Sequence, residues 1–377
     1  MKNIIESNKC TGCTACFNIC PNNAISILQN EEGFYMPQID EEKCVNCGLC
    51  TKICPVLNTK KNESKNKCFV AFNKDVEARK KSSSGGIFDV LAKNVINSNG
   101  IVIGAAFDEK VHLIHKAVSD IRSIEELRGS KYLQSELNDI FKYVKENVEE
   151  RQILFVGTPC QVAGLKAFLK KDYNNLICVD VICHGTPSPK MFEAYVNEIE
   201  KNNNDKLIKY DFRDKSTGWE TYSNTAIFKN KKCSELQKNN NYMKLFLSDI
   251  ALKESCYDCN FKLGNKYSDI TLGDFWGVSK FYPEMHNRDG VSAIIINTDK
   301  GAEMFENIKN ELDYKECKLE EIVAGNPSLA KSAGYPEKRK EFFTDLKQLS
   351  FDELSQKYER KISLLQKIKN KVKSFVK

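Results

Sequence analysis

Cys10-Thr-Gly-Cys13-Thr-Ala-Cys16-Phe-Asn-Ile-Cys20-Pro21 and Cys44-Val-Asn-Cys47-Gly-Leu-Cys50-Thr-Lys-Ile-Cys54-Pro55 repeat one pattern, C-x2-C-x2-C-x3-C-P. Three thiolates on a tight loop can cap three irons of a cubane. Small residues such as Gly12, Thr14, Ala15 and Gly48 let backbone amides face the sulfides. In this spacing the fourth cysteine, ahead of the proline, serves the other cluster. Cys10, Cys13, Cys16 and Cys54 are therefore candidates for one 4Fe-4S cluster, and Cys44, Cys47, Cys50 and Cys20 for a second. A pair of zinc sites is the plainer alternative. Zinc, however, usually takes two C-x2-C pairs rather than a triplet plus C-P repeated twice.

On these motifs residues 1–57 resemble bacterial two-cluster ferredoxins, which implies an α+β ferredoxin-like N-terminal domain carrying single electrons at low potential. The chain of 377 residues holds 16 cysteines, eight of them between Cys10 and Cys54, and is too long to be a small disulfide scaffold. Met1–Cys10 is polar, with no apolar signal segment, and no uncharged apolar run approaches the ~18 residues of a spanning helix. A cytoplasmic location is expected, and in a reducing compartment clustered cysteines are metal ligands or redox groups. Hydrophobic residues, 41% of the chain, suffice for a sizeable core. The formal charge of +6, from 57 basic and 51 acidic residues, is too small to imply a nucleic-acid partner.

Residues 58–67 are polar and charged and read as a linker. Beyond them strand and helix patterns alternate. Cys68–Phe72, Ile101–Phe107, Val111–Val118, Ile153–Val156, Leu176–Ile182, Ile270–Leu272 and Val291–Asn297 read as strands. Helical patterns follow Gly86 to about Asn97 and cover Leu137–Glu149, Pro159–Lys171 and Met191–Lys201. This order predicts a larger α/β domain with a mixed sheet over 68–335, then a C-terminal helical tail over 336–377. Arg360–Lys377 has seven Lys or Arg, no acidic residue, and apolar Ile362, Leu365, Ile368, Val372 and Phe375 at helical spacing. Such a helix either makes weak contact with an anionic membrane surface or packs on its own domain or a partner.

Four more cysteines stand out. Cys256-Tyr-Asp-Cys259 is a lone C-x2-C pair, which alone fits zinc, redox chemistry or half a cluster site. Cys160 and Cys183 each follow a strand, where open α/β sheets bind ligands. Ser83-Ser-Gly-Gly-Ile87, Gly129-Ser-Lys-Tyr132, Gly157-Thr-Pro-Cys-Gln161, Cys183-His-Gly185, Cys256-Tyr-Asp-Cys259 and Ser268-Asp-Ile-Thr-Leu-Gly-Asp-Phe-Trp-Gly277 occur in that order. Together they resemble the beta-subunit family of coenzyme F420 hydrogenases and dehydrogenases, over roughly residues 67–335. The resemblance implies FAD beside one 4Fe-4S cluster held by Cys160, Cys183, Cys256 and Cys259. Cys178 lies inside a strand. It reads, with Cys68, Cys233 and Cys317, as a small buried hydrophobe.

No G-x-G-x-x-G follows a strand, so a nicotinamide site has no support. Ser83, Ser84, Gly85 and Gly86 fit an ordinary helix cap, and the resemblance makes them flavin pyrophosphate contacts. Ser130, Lys131 and Tyr132 are similar candidates. Lys131 is read as either a phosphate counter-charge or a solvated surface lysine. The loop Arg213–Trp219 is expected to border the flavin or substrate. His184 is read as a proton donor or as a structural neighbour of Cys183. No catalytic residue is named. The expected function is that of an iron–sulfur flavoprotein oxidoreductase. It would exchange single electrons with ferredoxin or another redox protein, and two electrons with a small molecule such as coenzyme F420. An electron-transfer subunit with no substrate of its own is the alternative.

Overall fold

The structure, a computed structural model, describes residues 4–59 and 67–360. Most of the linker and the basic segment 361–377 lie outside the described residues. Thirteen strands are described: β1 (Ile25–Gln29), β2 (Tyr35–Ile39), β3 (Lys67–Asn73), β4 (Ile101–Phe107), β5 (Leu113–Val118), β6 (Ile153–Gly157), β7 (Leu176–Val181), β8 (Leu207–Asp214), β9 (Ser223–Phe228), β10 (Lys232–Leu236), β11 (Ile270–Asp274), β12 (Ser292–Ile296) and β13 (Leu312–Cys317).

The predicted mixed sheet is present, with eight strands in the order β13-β3-β12-β11-β7-β6-β4-β5. Its central strands β4, β6, β7 and β11 run parallel, and β3 shares their direction through antiparallel β12. Sequences such as Ile101-Val-Ile and Ile153-Leu-Phe are buried on both faces, as parallel strands covered by helices must be. Apolar clusters lie on its two sides, one around Val90, Leu91 and Ile177, the other around Phe141, Phe155 and Leu165.

A second, antiparallel sheet of β8, β9 and β10 was not anticipated. Its residues, such as Lys232-Cys-Ser-Glu-Leu, are largely polar and lack clear alternation. The strand expected from Val111 begins at Leu113, because Val111 adopts φ 63° in a turn where Asp108 accepts from the Lys110 and His112 amides. The helix expected from Leu137 is the shorter Ile140–Asn147, since Asn138 is left-handed at φ 45°.

The N-terminal head is the β1–β2 hairpin flanked by short helices Ala15–Ile19 and Leu49–Lys52. It docks closely on the rest. Gln134 both donates to the Tyr35 carbonyl (3.3 Å) and accepts from its amide (2.9 Å), and Asn18 donates to the Asn138 carbonyl (3.1 Å). Phe34 enters a core shared with Phe212, Tyr242, Phe342 and Phe351. The C-terminal helices Arg339–Asp345 and Phe351–Tyr358 thus complete the main body and are not a loose tail. No helix among the described residues is long and apolar enough to cross a membrane.

Candidate functional site

The head brings its eight cysteines into two groups. Cys10, Cys13, Cys16 and Cys54 lie close enough for their charges to bear on one another. Burial pushes the Cys13 thiol up to about 12, with Cys10 and Cys54 adding, and raises that of Cys16 well above its usual range. Such sulfurs become thiolates only when a cation takes the place of the proton. Cys20, Cys44, Cys47 and Cys50 line a separate cavity of about 120 Å³. There the Ala24 amide donates to Cys20 Sγ at 3.3 Å.

A third group forms in the large domain. Cys160, Cys183, Cys256 and Cys259 line one cavity, with His184, Lys253 and Lys262 beside them. Local chemistry explains each position. Cys160 sits in the first turn of the helix Pro159–Leu169, started by Pro159 and by the capping box of Thr158 and Gln161. Cys183 follows β7. The Thr186 amide donates to Cys256 Sγ (3.4 Å), and the Thr158 hydroxyl lies 3.2 Å from Cys160 Sγ. Burial lifts the Cys183 thiol to about 12 and that of Cys160 well above its ordinary value. One wall of this cavity comes from the head: Thr11 lines it, and its buried hydroxyl also sits beside the Cys13 thiol. A cavity lined by four sulfurs, with the Thr186 amide and the Thr158 hydroxyl beside two of them, suits an iron–sulfur cluster, whose ligand sulfurs accept hydrogen bonds.

The head and large domain also press together at Gly164, one turn after Cys160 on the same helix. A Cβ there would stand 2.8 Å from Cys13 Cβ and 2.9 Å from its sulfur. One helix therefore carries Cys160 and presses against Cys13.

The other cysteines are bystanders of two kinds. Cys178 is buried within β7, and Cys68 in β3 pairs with Cys317 in β13. Cys233 corrects its expectation: it is exposed on β10, a poorly covered strand.

The remaining motifs meet at the carboxyl ends of the parallel strands, around Arg213 and Asp274. Buried Arg213 donates to both Asp274 oxygens (3.1 Å each), to the Tyr132 hydroxyl (3.1 Å) and to the Ser83 carbonyl (3.0 Å). Trp219 Nε1 donates to Asp274 (2.6 Å), and its ring stacks on Trp276 at 4.7 Å. Ser83 Oγ accepts from the Ser130 amide at 2.7 Å. The segment Arg213–Trp219, expected as a loop, begins within β8 and joins the serine-glycine loop, Ser130–Tyr132 and the end of β11, a convergence that spacing alone did not reveal.

Two expectations change. Lys131 is neither a surface lysine nor a free counter-charge: its ammonium reaches the carbonyls of Ala105, Glu126, Leu127 and Arg128, tying β4 to a helix end. Gly85 is required by packing, since a Cβ would lie 2.7 Å from the Ala71 carbonyl oxygen and 2.8 Å from the Ser292 nitrogen. Gly129, by contrast, faces open space, with only Ser83 Oγ at 4.0 Å, and Arg213 Nε has no partner among the described residues. His184 lies between Asp249 at Nε2 (2.5 Å) and Ser328 at Nδ1 (3.1 Å).

Residues 150–322 match the C-terminal domain of the coenzyme F420 hydrogenase/dehydrogenase beta subunit, and residues 9–58 match a 4Fe-4S dicluster domain. One subunit of the F(420)H(2) dehydrogenase of Methanosarcina mazei is 23% identical over 334 residues, covering 83% of this chain and 86% of that protein. A chain of the F420-reducing [NiFe] hydrogenase complex from Methanosarcina barkeri aligns at a TM-score of 0.47 and 17% identity, over 79% of this chain and 91% of that one.

Proposed function

We propose that this chain, which joins a 4Fe-4S dicluster domain to the domain of coenzyme F420 hydrogenase/dehydrogenase beta subunits, is a three-cluster iron–sulfur flavoprotein oxidoreductase. It is an iron–sulfur electron-transfer protein of that oxidoreductase kind. The observation that carries the finer reading is the single cavity lined by Cys160, Cys183, Cys256 and Cys259 with Thr11 of the head in its wall. These four cysteines would hold one cluster, Cys10, Cys13, Cys16 and Cys54 a second, and Cys20, Cys44, Cys47 and Cys50 a third. Ser83, Ser84, Gly86, Ser130 and Tyr132 would hold FAD beside the Arg213–Asp274 pair, where the open side of Gly129 and the unpartnered Arg213 Nε leave room and a donor. Lys131 shapes that region without facing the flavin. Bound, the clusters exchange single electrons and the flavin couples them to a two-electron hydride exchange with a small molecule such as coenzyme F420.

The residues of the chain set where partners approach. Cys47 and Val45 are exposed, Val45 at 65%, so this face of the head is the docking place for ferredoxin or another redox protein. The other cysteine groups are more deeply covered, which excludes water from them. A second reading, an electron-transfer subunit with no substrate of its own, is favoured by the self-contained hydrogen bonds of Lys131. Metal and flavin analysis of an anaerobic preparation decides. About 12 irons and one FAD per chain are expected from three cubanes and one flavin. About 12 irons without flavin favours the second reading, and about eight irons without flavin overturns the large-domain site.

A further inference from the structure

Lys253 is 4% exposed, and it lies where the head and large domain meet. Its amide donates to the Thr186 carbonyl at 2.9 Å, fixing the backbone next to the cysteine cavity that the side chain lines. Its ammonium then reaches into the head, 2.8 Å from Met36 Sδ and 4.8 Å from the centroid of Phe34. Among the described residues, that thioether is the one hydrogen-bond acceptor the ammonium meets, and it is a weak one. Glu32 bears on it from nearby but is already held by Arg339. A buried cation without an anion is costly. The groups placed to compensate it are thiols on both sides: Cys10 of the head, and Cys160 and Cys256 of the large domain. Cys20, Cys44, Cys47 and Cys50 are not among its neighbours in either respect.

We propose that Lys253 is the shared counter-cation of the two cysteine groups it separates, Cys10/Cys13/Cys16/Cys54 and Cys160/Cys183/Cys256/Cys259. The inference rests on the cluster-ligand reading above. Four thiolates around an oxidised cubane core leave a net charge of about −2 on each side of the ammonium. Each reduction adds a further negative charge, which a fixed cation in a low-dielectric interface stabilises. Lys253 therefore raises the reduction potentials of both flanking groups together and leaves that of Cys20/Cys44/Cys47/Cys50 in place. Lys253 is a positioning residue in this sense: it donates no electron and ligates no iron.

The experiment is an EPR-monitored potentiometric titration of the full-length, iron-loaded protein, comparing wild type, Lys253→Met and Lys253→Arg. Cys256→Ser and Cys16→Ser assign the two flanking signals. The expected result is that Lys253→Met lowers both flanking potentials, spares the third, and that Lys253→Arg restores them. Unchanged potentials at full iron content, or an equal shift of all three, overturn the proposal. Should Lys253→Met load incompletely, iron missing from the flanking groups and restored in Lys253→Arg supports it. Iron missing from the Cys20/Cys44/Cys47/Cys50 group, or not restored by arginine, overturns it. Wild type with about eight irons sinks the ligand reading itself, whereas wild type with about 12 irons and unmoved potentials sinks only the role of Lys253.

Discussion

Arg339 grips Glu32 with two parallel hydrogen bonds, Nη1 to Oε1 at 2.7 Å and Nη2 to Oε2 at 2.6 Å. One residue comes from a C-terminal helix and the other from the loop between β1 and β2 of the head. Arg339 is fully buried and also donates through Nε to the Leu252 carbonyl (3.0 Å), adjoining Lys253. The planar guanidinium thus fixes the head and the backbone of Lys253 at once.

Removing one member of such a buried pair leaves the other uncompensated. Arg339→Ala is expected to destabilise the protein by about 3–5 kcal/mol, read as a lower denaturant midpoint. Glu32→Gln, which keeps one acceptor, should cost less. If the two variants are equally and only slightly affected, the clasp is not holding the head.

Gly164→Ala places a methyl group 2.8 Å from Cys13 Cβ. The helix Pro159–Leu169 and the head must move apart, at a cost of about 1–3 kcal/mol. The expected signature is partial loss of the Cys13 cluster with the Cys20 group intact, resolved by EPR and iron content. A variant with wild-type stability and spectra would show that the contact is loose.

Cys256→Ser is expected to remove about four of about 12 irons and to spare both clusters of the head. Iron analysis with visible absorption measures this. Unchanged iron content removes Cys256 from the ligand set.

His115 supplies a pH dependence. Burial pulls its pKa down to about 4, and its Nδ1 has no partner while Nε2 bonds the Val156 carbonyl at 3.2 Å. The unfolded chain takes up this proton near the ordinary value of about 6.5. The contribution is therefore complete above about pH 6.5 and is lost as pH falls toward 4, by about 3 kcal/mol in all. Denaturant titrations across that range should show a shallower acid loss for His115→Phe than for wild type. Parallel curves would rule the histidine out.

Where the chain's chemistry is local, it was legible in advance. The C-x2-C-x2-C-x3-C-P repeats fix the head cysteines by spacing, and Cys160 and Cys183 stand out because each lies just past the end of an apolar strand. Contacts between distant segments left no such trace. Thr11 in the wall of the large-domain cavity, Gly164 against Cys13, and Lys253 between the two groups join segments far apart in the chain, and each looks ordinary where it stands. Lys131 misled for the same reason: neither a phosphate counter-charge nor a solvated lysine foretells the four carbonyls that β4 and its neighbouring helix bring around it. The sheet β8–β9–β10 was missed because its strands are half polar and their pairing is set by the aromatic core beneath.

The close seat of Cys13 on Gly164 bears on how this protein can be rebuilt. In the sequence, the head is a contiguous stretch that could be lifted out at the linker. In the folded chain it is a fitted part, cut to the shape of one helix, one glutamine and one arginine. Exchanging it for another dicluster module would require Gly164, Gln134 and Arg339 to be matched as well, so recombination at the linker alone would yield a graft without a junction.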